Sequence, residues 1–333
     1  MKVFVTGANG FVGSALCRKL VKRGDQVVGL VRKTSDLSLL EGINIQKVVG
    51  SLDDKFSYFQ VLKDVVVVYH IASVVSDWGS WEYFRKTNVE GTGKLIEAAV
   101  ENKVKRFVYV SSIVVHSHID SCDLNEQSPQ FDTPFPYVQT KRETEELVMS
   151  FHKEKKIEVV IVRPGDIYGP GDRVSLLKMA PMLEKGMMGY IGGGRTIGAL
   201  TYVENLVDGL LLAGIKRQAA GEAFVITDGA KISWKEYFLA LTRELNVPAP
   251  RFSLPPVIAL IIAQCLEFLY RILHISQRPP LTRYLVTHLK GDFHFSIDKA
   301  KKILGYTPAI GFDQAIKETG EWYKKVVRHN RNN

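Results

Sequence analysis

Five short runs of aliphatic and β-branched residues, scarcely interrupted by polar side chains, constrain this chain more than any other feature: Val3–Thr6, Gln26–Val31, Val65–Ile71, Arg106–Ser111 and Glu158–Arg163. A strand exposed on one face alternates apolar and polar residues, whereas near-continuous apolarity marks strands covered on both faces, the condition of a parallel sheet. Helical patterns separate the runs, near Val12–Arg23, Glu90–Glu101 and Gln139–Lys156. Strand and helix in alternation predict an α/β fold with an open, doubly wound parallel sheet. With 46% hydrophobic and 24% charged residues over 333 positions, the chain is too apolar for intrinsic disorder and long enough for two domains.

The stretch TGANGFVG puts Gly7, Gly10 and Gly13 between the first strand and the first helix. Glycines there permit a tight turn and let backbone N–H groups and a helix N-terminus meet a pyrophosphate with no Cβ in the way, so a Rossmann-type dinucleotide site is expected. Where NAD-binding folds usually present a carboxylate to the ribose 2′-hydroxyl, the second strand ends in Val31-Arg32-Lys33-Thr34. A guanidinium pairs with a 2′-phosphate that a carboxylate repels, so NADP(H) is expected in preference to NAD(H).

Tyr137 and Lys141 form a YxxxK pair whose spacing sets both on one helix face. A free phenol, with a pKa near ~10, is a poor base at neutral pH, and a fixed ammonium beside it stabilises the phenolate. Ser112 lies in YVSS at the end of a predicted strand, 25 residues before Tyr137. Its hydroxyl is placed to polarise a carbonyl or alcohol while Tyr137 moves the proton, with Ser111 as the rival.

Taken in order, TGxxGxxG, His70-Ile71-Ala72-Ser73, NVEGT from Asn88 to Thr92, YVSS, YxxxK and RPGDIYGPGD resemble the extended short-chain dehydrogenase/reductase superfamily over the first ~175 residues. TYVENLVDGLLLA is similar to the helix by which that superfamily rejoins its nucleotide domain. An apolar helix after FSLPP, then RPPLTRYLV and FHFSIDKAKKILGYTP, is similar to the 3β-hydroxysteroid dehydrogenase branch and its sterol dehydrogenase relatives. The resemblance implies Tyr137 as general acid/base, Lys141 as its activator and ribose ligand, and Ser112 as the carbonyl-polarising partner. It implies a cofactor-binding set of Gly7, Asn9, Gly10, Phe11, Val12, Gly13, Arg32, Leu52, Ala72, Ser73, Asn88, Tyr137, Lys141, Pro164 and Ile167. Two positions depart from its pattern: Ser51 stands where relatives often carry Asp, and Arg32 replaces an acidic residue typical of the NAD-using steroid enzymes.

After Arg163 the strand–helix rhythm gives way to the glycine- and proline-rich RPGDIYGPGD and IGGGR. A dinucleotide-binding domain over 1–165 and a smaller, mainly helical substrate domain over 166–333 are expected, with 200–228 packing back onto the first through a helical Val203–Ile215 and a strand at Ala223–Thr227. Of the 19 residues from Val257 to Ile275, 15 are hydrophobic, and Gln264, Glu267, Arg271 and His274 fall within ~80° of one another on a helix. That segment is too broken to span a bilayer. It either packs into the substrate domain or a homodimer interface, or makes peripheral membrane contact. The charge favours the last, because residues 251–333 hold 13 basic and 6 acidic side chains against 31 and 29 in the rest of a chain of net charge +9.

Three dispersed cysteines and a start, MKVFVTGANG, without a signal-type apolar core point to a reducing, cytoplasmic setting. His116, His118 and His152 lack companion ligands at useful spacing, so no metal is expected. Nothing beyond charge speaks for nucleic acid. Trp78 and Trp81, in SDWGSWEYF, form either an apolar substrate wall or core. The leading expectation is an NAD(P)-dependent oxidoreductase acting on a secondary alcohol or ketone of a bulky, steroid- or lipid-like substrate. A nucleotide-sugar epimerase of the same superfamily is the alternative, and a non-catalytic NADP-binding sensor a third.

Overall fold

A computed structural model describes residues 1–173 and 175–328; Val174 and the last five residues of the expected substrate domain lie outside the described residues. Strands β1 (Lys2–Thr6), β2 (Gln26–Val31), β3 (Gln46–Val49), β4 (Val67–His70), β5 (Arg106–Val110), β6 (Glu158–Pro164) and β7 (Ala223–Ile226) form one sheet in the order β7-β6-β5-β4-β1-β2-β3. Every pairing in it is parallel. Successive residues point to opposite faces, so Val3 and Val5 enter one core while Phe4 enters the other. Helices α1 (Phe11–Lys22) and α4 (Val203–Ile215) cover the first face; α2 (Gly91–Glu101) covers the second. Burial on both sides is why β1, β4 and β5 read as unbroken apolar runs.

β3 was not anticipated. Its sequence, QKVV, sits at the sheet edge with most of its side chains in solvent, where nothing demands an apolar run. Helix α3 (Pro136–Lys153) starts three residues before the periodicity predicts, with Pro136 in the first turn, where its missing N–H costs no hydrogen bond. A π-helical turn, Lys86–Glu90, leads into α2.

Besides the helix Leu176–Glu184 and several short helical turns, the remaining elements are α5 (Trp234–Leu245), α6 (Pro256–Ile272), α7 (Arg283–Leu289), α8 (Phe312–Trp322) and, among the described residues, four two-stranded sheets of short strands, more strand than the sequence signals there. The expected apolar helix is present as α6, but most of its large apolar side chains do not face the protein. Ala259, Ala263 and Glu267, at i, i+4 and i+8, are buried, the alanines beside Val286 of α7, while Glu267 accepts from the Arg283 backbone N–H at 2.7 Å and Nε at 2.8 Å. Val257, Ile258, Ile261, Ile262, Phe268, Leu269, Ile272 and Leu273 are exposed. One residue of the polar stripe is thus the helix's inward anchor.

His70, at the end of β4, joins three elements: Nδ1 lies 2.8 Å from the Thr6 hydroxyl of β1 and Nε2 2.7 Å from the Thr92 hydroxyl of α2. Burial, with the Lys141 charge adding to it, pushes its pKa down to about 3. His118 is held down to about 2 by burial and by the neighbouring His288 and Lys290. Both stay neutral in the fold but take up a proton near pH ~6.5 when unfolded, so the unfolded chain binds more protons below that pH. Stability is therefore expected to fall as pH drops from ~6.5 toward ~3, by up to about 1.4 kcal/mol per pH unit for each histidine. Urea unfolding across that range checks this, and His70→Asn should flatten the slope.

Candidate active site

The glycine loop, the catalytic candidates and most of the expected cofactor residues follow the C-terminal ends of β1 to β6, so the parallel sheet itself gathers them along one edge. Gly7 adopts φ +66, and a Cβ on it would stand 3.0 Å from the Ala72 backbone nitrogen. A Cβ on Gly13 would lie 2.0 Å from the Gly7 carbonyl oxygen, so only glycine lets α1 start so close to β1. Gly10 caps α1 without a side chain, leaving the first-turn N–H groups of Phe11, Val12 and Gly13 open toward an anion. This is a cradle that a dinucleotide pyrophosphate fits.

Around it, the Thr6 hydroxyl accepts from the Ile71 and Ala72 N–H groups at 3.1 Å each, fixing the turn that carries Ala72 and Ser73. Asn9 donates to the Asp36 carbonyl at 3.2 Å. Arg32 is exposed just past β2 with its backbone N–H on Ser35, while the nearby Asp36 carboxylate is engaged by Arg173. Leu52 is buried against Gly91 and accepts from the Tyr58 hydroxyl; Pro164 ends β6, and Ile167 lies in the short strand Asp166–Tyr168.

Tyr137, Lys141 and Glu145 lie at i, i+4 and i+8 on the inward face of α3. The Ser112 side chain, which accepts from the Val114 N–H at 3.3 Å, lies close enough to the Tyr137 hydroxyl to favour the phenolate. Ser111, the rival, is buried with its hydroxyl unpartnered among the described residues. Lys141 sends Nζ under the site, donating to the Val110 carbonyl at 2.9 Å and lying 5.9 Å from the centroid of the Tyr137 ring. Burial pushes the phenol above its ordinary range, against the influence of the Ser112 side chain, and brings the Lys141 amine down to about 7, against the pull of Glu145.

Several supports escape a reading by motif. Asn88, in the π-helical turn, accepts from the Val74 N–H at 2.8 Å and the Ser73 hydroxyl at 3.0 Å, and donates to Thr140 at 3.3 Å, tying the loop after β4 to α3. Arg163 of β6 grips Glu145 with two bonds of 2.9 and 2.6 Å; its third nitrogen donates to His116 Nε2 at 2.9 Å, and His116 Nδ1–H goes to the Ser128 carbonyl. Only the arginine carried a signal, as a charge at the end of a buried strand. His152 accepts from the Val159 N–H.

Over the substrate side stand Phe84 and Tyr284, whose ring centroids lie 6.4 and 6.5 Å from that of Tyr137. Tyr284 is parallel to His288, which donates to Asp166 at 2.7 Å; burial opposes the imidazolium, but Asp166 more than offsets this and holds its pKa above the ordinary value. Trp78 meets Tyr270 of α6 edge-on at 6.4 Å and lies 5.6 Å beneath the Arg271 guanidinium. Beside it, Asp77 holds Arg278 through both oxygens and takes a bond from Thr282 at 2.6 Å. Trp81 opens the short helix Trp81–Arg85.

Residues 3–227 match the NAD dependent epimerase/dehydratase family. The chain belongs to that family. Its relatives include a 2-alkyl-3-oxoalkanoate reductase of Stenotrophomonas maltophilia, 29% identical over 95% of this chain and 98% of that protein. A sterol-4-alpha-carboxylate 3-dehydrogenase, decarboxylating, of Bos taurus is 31% identical over 95% of this chain and 90% of its own length. Among solved structures, an epimerase from Methanothermobacter thermautotrophicus superposes with a TM-score of 0.83, 26% identity and coverage of 99% of this chain and 94% of that one. The resemblance to the extended short-chain dehydrogenases and their sterol-dehydrogenase branch holds, and the chain is an oxidoreductase of an NAD-dependent family.

Because Glu145 and Arg163 are both buried, Glu145→Ala would strand a guanidinium under α3. It should cost about 3–5 kcal/mol in urea unfolding, whereas a substitution at the exposed Glu146 should cost under about 0.5 kcal/mol.

Proposed function

We propose that this chain transfers hydride between NADP(H), preferred over NAD(H), and a secondary alcohol or ketone carried on a bulky apolar substrate of steroid or lipid type. The observation that carries the reading is the Tyr137 phenol beside Ser112, with the Lys141 Nζ 5.9 Å from its ring centroid and aromatic side chains around it. When bound, the nicotinamide supplies or accepts the hydride at the carbinol carbon. Tyr137 gives the substrate oxygen its proton in reduction and takes it back in oxidation. Lys141, when charged, makes the phenolate less costly, and Ser112 donates to the substrate oxygen as negative charge builds there. The relatives' names support the substrate class: 2-alkyl-3-oxoalkanoate and sterol-4-alpha-carboxylate 3-dehydrogenase each set the reacting carbon beside a substituted one.

The likeness to an epimerase supports a second reading, a nucleotide-sugar epimerase with the same three side chains. We rank it lower, because Arg278 and His288 near the substrate side are already held by Asp77 and Asp166 rather than presented to a diphosphate. For the cofactor, Arg32 stands exposed past β2, where a 2′-phosphate would meet a guanidinium.

Purified protein should consume NADPH with 3-keto sterols or 2-alkyl-3-oxo acids, and Tyr137→Phe should lower turnover about 10²-fold or more while cofactor binding persists. Retained NAD with turnover of a UDP-sugar and no net redox change would favour the epimerase instead. Arg32→Asp should reverse the NADP/NAD preference in titrations followed by fluorescence; an unchanged ratio would remove the cofactor argument.

A further inference from the structure

The Asp166–His288 pair beside Tyr284 has bonding capacity that neither the fold nor the chemistry at Tyr137 uses. Asp166 Oδ1 and His288 Nε2 meet at 2.7 Å, but Asp166 Oδ2 and His288 Nδ1 are buried with no protein partner among the described residues. Nε2 of His118, whose ring stands edge-on to His288 at 5.1 Å, is in the same condition. A buried polar atom without a partner destabilises a fold, and most such atoms are paired, so three in one cluster mark a place kept for something other than stability.

The cluster stands at the far end of the cleft from the reacting atoms. Asp166 lies in the short strand just past the C-terminal end of β6, on the sheet edge that carries the cofactor candidates. Ring contacts run from Tyr137 to Tyr284 at 6.5 Å and from Tyr284 to the parallel His288 ring at 6.3 Å, so a wall of aromatic side chains joins the Tyr137 phenol to the pair. His118 and His288 also border a cavity of about 130 Å³, space enough for a polar group or a water. Its charged lining is mixed, with Lys290 against Asp120 and Asp292, and the pair itself joins one positive group to one negative.

We infer that Asp166, His288 and His118 form a subsite for an alcohol oxygen that the substrate carries at the end remote from its reacting carbon. The donor set selects that group. The charged imidazole has committed Nε2–H to Asp166 and has one N–H left to give, while the ionised Asp166 can only accept. A hydroxyl accepts from His288 Nδ1–H and turns its own O–H toward Asp166 Oδ2 or the neutral His118, directly or through one water. A carboxylate would be opposed by Asp166 and an ammonium by His288, and a methyl group would leave all three atoms unpaired. The pose, with the reacting carbon at Tyr137, rests on the proposed function; Asp166 and His288 act on specificity and take no part in hydride or proton transfer.

Two probes that differ in one oxygen test this: 17β-hydroxy-5α-androstan-3-one and 5α-androstan-3-one. Each is titrated against the full chain with NADP+ present, so that no ketone is reduced, and binding is followed by tryptophan fluorescence. The hydroxylated probe should bind at least about tenfold more tightly. In the double variant Asp166→Leu, His288→Phe that preference should fall to within about twofold without weaker binding of 5α-androstan-3-one, and in His288→Gln it should fall at least about threefold. The double variant removes two desolvated charges together with their unpaired atoms, so its melting temperature should equal or exceed the parent's, whereas a pair kept for stability would give a lower one. A lower melting temperature, equal affinities for the two probes in the parent, no binding of either, or an undiminished preference in either variant would each overturn the inference. A preference in binding with no NADPH consumed from either ketone would overturn the hydride-transfer reading instead and leave the subsite standing.

Discussion

The buried pair between Arg163 and Glu145 holds the active region in register. Removing two charges from water is unfavourable, and their mutual attraction offsets this only where geometry is good and the leftover hydrogen-bonding groups are satisfied. Here both carboxylate oxygens are engaged, and the remaining guanidinium nitrogen donates to His116 and to the Glu126 carbonyl. The arginine belongs to a strand and the glutamate to a helix, so the pair fixes how far along β6 the helix α3 sits. Lys141 and Tyr137 lie one and two turns N-terminal to Glu145 on the same face, and inherit that placement.

The same edge of the sheet is organised by uncharged groups. One threonine hydroxyl, that of Thr6, takes two backbone N–H bonds at the end of β4 and meets His70 as well. Asn88 then carries the constraint from that turn to Thr140 of α3. The glycine cradle and the Tyr–Lys–Ser group are thus built on one hydrogen-bonded frame, with the strand ends as its fixed points.

Much of this was legible in the sequence because burial leaves a compositional trace. The central strands read correctly since both of their faces are covered; β3 did not, since an edge strand in solvent has no such trace. The glycine loop, Ser112, Tyr137 and Lys141 fall together at strand ends, as their motifs require. Asn88's cross-links, Glu145 and Tyr284 were not legible as partners, because hydrogen bonds and ring contacts between distant segments have no local period. The orientation of α6 was hidden for a related reason. Periodicity reports that a helix has two unlike sides, and only the neighbour decides which side turns inward; here the small residues and Glu267 suit α7.

The position of Lys141 has a consequence for how the protein meets whatever it binds. Burial brings its amine down to about 7, so near neutral pH the empty protein is a mixture of charged and uncharged forms. A ligand whose oxygens accept from Nζ favours the ammonium, and its arrival draws a fraction of a proton out of solvent. Association is then coupled to the buffer: the heat it releases includes the buffer's own ionisation, and affinity weakens as solution becomes more alkaline. The amine acts as a proton-linked latch, set by the medium before any chemistry begins.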